Sequence, residues 1–100
     1  MAKTGLAKKR EIIRHKANNY TELYSNSAEL RATFLDFQIS FGKILDATPE
    51  KLEIENQFAI IMSPQQTKQL MRVLVDNVAK YEKQHGTIPI SPAQKAIEPT

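Results

Sequence analysis

The feature that most constrains this chain is the run Ser63-Pro64-Gln65-Gln66. A serine there offers its side-chain oxygen to the N–H groups of a first helical turn. Proline at the next position lacks only an N–H that the helix leaves unused, and glutamine in the third helical position completes a capping box. Gly86 is the matching stop, since glycine is favoured just past a helix C-terminus, and Lys80, Lys83 and His85 bring donors to the last carbonyls. The predicted helix, 64–85, is about 33 Å long at roughly 1.5 Å per residue. At about 100° per residue, Leu70, Met71, Leu74, Val78 and Tyr81 form one stripe, flanked by Val73 on one side and Val75 on the other. The apolar arc spans roughly 200°, more than one sheet can cover. Asn77 lies inside the arc and has two readings: a bond to a strand edge or helix partner that fixes register, or a side chain facing out at the rim.

The chain before the helix alternates with period two. Leu52, Ile54, Phe58, Ile60 and Met62 interleave with Glu53, Glu55 and Gln57, which predicts a strand over 51–62. Ala59 and Ile61 make its far end apolar on both faces, and such an end is normally covered on both. Phe37, Ile39 and Phe41 against Asp36, Gln38 and Ser40 predict a strand over 36–45. Tyr20, Tyr24, Ala28 and Leu30 share one parity and predict another over 20–31, weakened by the turn-forming Ser25-Asn26-Ser27. The adjacent apolar pair Phe34-Leu35 requires a change of phase, by a hairpin near Ala32-Thr33 or a bulge. Asp46-Ala47-Thr48-Pro49-Glu50 reads as a turn. The expected fold is therefore α+β: an antiparallel β-meander of three to four strands followed by one long C-terminal helix.

At 100 residues the chain has room for one domain with a modest core. The expected organisation is a basic N-terminal arm over 1–17, a single α+β domain over 18–90 and a flexible tail over 91–100. Formal net charge is +3. Residues 1–16 hold six basic groups against Glu11 alone, or +5, and the remaining 8 basic and 10 acidic groups give −2. The basicity thus belongs to the arm. With no cysteine there is no disulfide, zinc ribbon or thiol catalysis. No apolar run reaches about 18 residues and no apolar stretch follows the first lysines, so neither a membrane span nor a secretory signal is expected. The default location is the cytoplasm.

No catalytic constellation emerges, and no catalytic, metal-binding or cofactor-binding residue is expected. His15 and His85 are far apart, and neither has a partner at metal-ligand spacing. Glu53 and Glu55 share a strand face, but on an alternating strand they serve solubility better than acid–base chemistry, which needs burial. Phe34, Phe37, Phe41, Phe58 and Tyr81 sit at strand or helix spacing and read as core rather than as a ligand pocket. Lys8, Lys9, Arg10, Arg14 and Lys16 are candidate nucleic-acid contacts, because lysines and arginines on a mobile segment neutralise phosphates without sequence preference. No aromatic residue precedes Tyr20 to add base stacking.

Two stretches carry a resemblance. The first runs from Tyr24-Ser25-Asn26 to Asp36-Phe37-Gln38-Ile39-Ser40-Phe41-Gly42. The second joins Ser63-Pro64-Gln65-Gln66-Thr67-Lys68 to Asn77-Val78-Ala79-Lys80-Tyr81-Glu82 and Gly86-Thr87-Ile88. Together they resemble a widespread family of small bacterial proteins known as a domain of unknown function, over about residues 20–90. The resemblance implies a bacterial origin and supports a hairpin near 32–35. It brings no catalytic residue, cofactor or activity. The arm is longer and more basic than that pattern, so the resemblance lends it no function.

The functional expectation is a non-enzymatic, self-associating interaction module, a dimer or tetramer, with Ile61, Val73, Val75 and Asn77 at its interface. The alternatives are a nucleic-acid-binding accessory using the arm, and a chaperone-like binder of extended chains. Salt separates these two, because phosphate binding weakens steeply with it.

Overall fold

The structure is a computed structural model that describes residues 9–90 together with the short strand Ile97–Pro99. Its elements are β1 (Ser27–Ala32), β2 (Phe37–Ala47), β3 (Leu52–Met62), α1 (Pro64–His85) and β4 (Ile97–Pro99). They form one sheet in the order β3-β2-β1-β4. The first three strands make the antiparallel meander, and β4 pairs with β1 in parallel, Ile97 opposite Ala28. The expected α+β arrangement of a meander followed by one long helix is what the chain adopts. Of the expected tail, residues 91–96 and residue 100 lie outside the described residues, as do residues 1–8 of the arm.

Both hairpin turns use the same device. The Thr33 N–H donates to the Asp36 carbonyl at 2.9 Å, and Thr33 Oγ1 accepts the N–H groups of Leu35 and Asp36, each at 3.1 Å. The Thr48 N–H donates to the Lys51 carbonyl at 2.8 Å, and Thr48 Oγ1 accepts the Lys51 N–H at 3.1 Å. A threonine side chain that satisfies the turn's own amides favours a reversal over a continued strand. The phase change at Phe34-Leu35 is thus taken up at a hairpin tip.

The predicted strand over 20–31 is corrected to β1, which begins only at Ser27. The backbone pairing reaches back only to the Asn26 N–H, which donates to the Gly42 carbonyl at 3.1 Å, and side chains take part from there. Ser25 Oγ accepts the Gly42 N–H at 3.1 Å and lies 2.8 Å from the Gly42 carbonyl, and Asn26 Oδ1 accepts the Ile44 N–H at 2.9 Å. The Ser25 and Asn26 side chains thus give the Gly42 and Ile44 amides of β2 the acceptors that a longer β1 would have supplied.

Register shifts break the β2–β3 ladder between Phe41 and Gly42 and again between Ile44 and Asp46. Before the first shift, Phe41 faces Phe58 with ring centroids 5.3 Å apart, on the face shared by Leu30, Ile39 and Ile60. One extra residue in β3 then reverses the alternation, so the Ile44–Ile54 pair falls on the opposite face. Gly42 is required at the bulge. A Cβ there would lie 2.5 Å from the Glu55 carbonyl oxygen and 3.0 Å from Asn56 Cα.

The helix keeps its predicted limits. Ser63 Oγ accepts the Gln66 N–H at 3.1 Å, and Gly86, at φ 94°, donates its N–H to the Glu82 carbonyl at 2.8 Å. Its placement differs from the expectation that a sheet would cover the apolar stripe. Among the described residues no residue of α1 is buried, and α1 does not pack lengthwise along a strand. The cause is the connection: Ser63 alone, in an extended conformation, joins β3 to α1. One extended residue provides no reversal, so the helix runs on from the sheet instead of folding back over it.

Candidate interaction surface

A domain of this kind normally buries its apolar side chains between layers. Here, among the described residues, only Ser27 and Gly42 are buried, and no side chain is fully enclosed. The accessible surface is 9086 Å². A folded monomer of 11.4 kDa is expected to expose about 5,800 Å². The fifteen residues outside the description and the irregular, exposed stretch over 9–26 both contribute to that difference.

Part of the exposed surface is an apolar stripe on α1. Met71, Leu74, Val78 and Tyr81 are all exposed along one side of the helix. Leu74, Asn77, Val78, Tyr81 and Ile88 line an open groove of about 350 Å³. Ile88 reaches it because the chain turns after Gly86 and its N–H donates to Glu82 Oε2 at 2.8 Å. Of the predicted interface residues, Ile61 is 63% exposed on β3, and Val73 and Val75 are 55% and 62% exposed on α1. Asn77 is exposed as well and spends its amide locally, donating from Nδ2 to the Val73 carbonyl at 2.8 Å. The four are thus surface residues on two elements rather than one contiguous patch. Sequence reasoning placed the stripe Met71-Leu74-Val78-Tyr81 under the sheet and missed it as surface. It also placed Phe34 in the core, whereas Phe34 is 96% exposed at the β1–β2 hairpin tip.

The charged candidates are spread out. Lys9, Arg10, Arg14 and Lys16 lie exposed on a stretch without regular structure, and Lys8 falls outside the described residues. Lys16 Nζ sits 4.9 Å from the centre of the Tyr20 ring, whose hydroxyl donates to Glu22 Oε2 at 3.0 Å. His15 is exposed on the same stretch, and the His85 ring lies 4.7 Å from that of Tyr81. Glu53 is 3.6 Å from Lys51 Nζ, and Glu55 Oε1 accepts a hydrogen bond from Gln57 Nε2 at 2.8 Å, all at the surface. Among the described residues no group of three histidines, cysteines or acids is placed to hold a metal ion. None of the described helices is long and apolar enough to cross a membrane.

The motif residues named above serve architecture. Ser25 and Asn26 bond β2, Gly42 admits β3, Ser63 caps α1 and Gly86 ends it. A family described as "Protein of unknown function (DUF3467)" matches residues 2–90. The match begins at residue 2, so the basic arm falls within the family's span and is not an addition to it. No curated protein and no solved structure matches the chain.

Proposed function

We propose, from the premise that the chain belongs to the DUF3467 family, that it acts as a non-enzymatic interaction module assembled from identical copies. The observation that carries this reading is the apolar surface along α1 and at Ile61, in a chain whose described residues enclose no side chain. Soluble monomers rarely leave an apolar helix stripe of this length uncovered, and a symmetric contact between copies covers the same stripe on each. The motif residues support a structural reading too, because their polar groups are spent on backbone hydrogen bonds instead of facing a cleft.

Light scattering on the purified chain at micromolar concentration tests the proposal. A dimer or larger assembly is expected. A monomer that is well folded by circular dichroism at that concentration overturns it.

A further inference from the structure

The self-association reading leaves open how two copies meet, and α1 carries the answer in its spacing and charge. Met71, Leu74, Val78 and Tyr81 recur at intervals of three, four and three, the seam spacing of paired helices, with Thr67 before them and His85 after. One edge of the seam carries Lys68, Val75 and Glu82, and the other carries Leu70, Asn77 and Gln84. In a parallel pair, opposite edges meet. Leu70 would then face the partner's Val75, Asn77 would face the partner's Glu82, and no opposite charges would pair. In an antiparallel pair with Leu74 against the partner's Val78 and Met71 against the partner's Tyr81, like edges meet. Lys68 then faces the partner's Glu82 at both ends, Val75 faces the partner's Val75 near the axis, and Asn77 faces the partner's Asn77.

We propose that a second copy of this chain packs its α1 antiparallel along the Met71-Leu74-Val78-Tyr81 seam. The two-fold axis passes beside Val75 and Asn77, and Lys68–Glu82 ion pairs close both ends. This arrangement rests on the self-association reading and adds its geometry. The groove between Leu74, Val78, Tyr81 and Ile88 is the recess into which the partner's seam side chains fit. Glu82 is already held there, because one of its oxygens takes the Ile88 N–H. Asn77 comes to the axis with its amide donor turned back on its own helix, so the contact between the two copies is apolar at its centre and charged at its ends.

The chain has no cysteine, so single thiols can report the pairing directly. Val75→Cys and Met71→Cys variants of the full chain would be treated with a short bismaleimide and run on a denaturing gel, with light scattering on each untreated variant. Antiparallel pairing brings the two position-75 thiols together, and holds the two position-71 thiols about 15 Å apart along the axes. Efficient linking at 75 with little at 71 is expected. Linking at 71 and not at 75 means a parallel pair and overturns the proposal. Linking at neither position, with both variants still dimeric by scattering, also overturns it and leaves self-association standing. A monomeric wild-type chain removes both. As a second readout, Lys68→Glu should weaken the dimer about tenfold, since it turns two attractive pairs into repulsive ones. Adding Glu82→Lys should restore most of that loss, and no restoration would count against the pairing of these two positions.

Discussion

Ser25 Oγ accepts the Gly42 N–H, whereas Ser27, two positions on, is buried with no hydrogen-bond partner for its Oγ. The same substitution should therefore act in opposite directions. Ser25→Ala leaves a buried amide of Gly42 unsatisfied and should cost about 1–3 kcal/mol. Ser27→Ala removes a buried hydroxyl that gains nothing and should be neutral or slightly stabilising. Urea denaturation of both variants checks the pair, and equal losses would show that the Ser25 contact is not what holds β2. Two glycines separate in the same way. Gly42→Ala is blocked by space, since a Cβ meets the Glu55 carbonyl, and should cost about 1–3 kcal/mol. Gly86→Ala meets nothing within 4 Å but must hold φ 94°, so its penalty, also about 1–3 kcal/mol, is conformational. Gly86→Asn should recover little of it, because a ψ of 169° lies outside the left-handed helical region that asparagine tolerates.

At the scale of the element, the cap of α1 and its exposed length belong to one problem. Helices in water gain most of their stability from packing an apolar face, and among the described residues α1 buries none of its side chains. Its ends therefore matter more than usual. Ser63→Ala removes the acceptor of the Gln66 N–H and should cost about 1 kcal/mol by denaturant titration. An unchanged curve would place the start of the helix elsewhere. The hairpin tips are comparable. Thr33 and Thr48 each bind the amides of their own turn, so Thr33→Val should loosen the first hairpin while leaving β2–β3 pairing in place. Amide hydrogen exchange that quickens in β1 but not in β3 is the expected pattern.

At the scale of the whole molecule, folding and assembly are one equilibrium if the apolar face of α1 is covered by a partner. The thermal midpoint should then rise with protein concentration, as mass action requires of a folded state that depends on association. A midpoint constant over a hundredfold range of concentration would contradict that coupling. The two flanks of the helix should also behave differently. Val75 lies beside the seam at the proposed two-fold axis, so Val75→Lys should dissociate the assembly and lower its midpoint. Val73 lies farther round the helix, so Val73→Lys should leave the α1 pair intact. Light scattering on the two variants reads the difference directly.

Local chemistry determined much of this protein from sequence alone. Ser63 and Gly86 bounded the helix because caps act on groups within four residues of themselves, and β2 and β3 followed from an alternation each strand carries on its own. The tertiary structure decided what depends on two segments meeting. Ser25 ends β1 early only because Gly42 stands opposite, and the reversal of faces in β3 comes from a register shift that no single strand encodes. The apolar stripe of α1 was legible, but its burial was not. An apolar arc states that a face must be covered, and only the one-residue link at Ser63 decides that the chain's own sheet is out of reach.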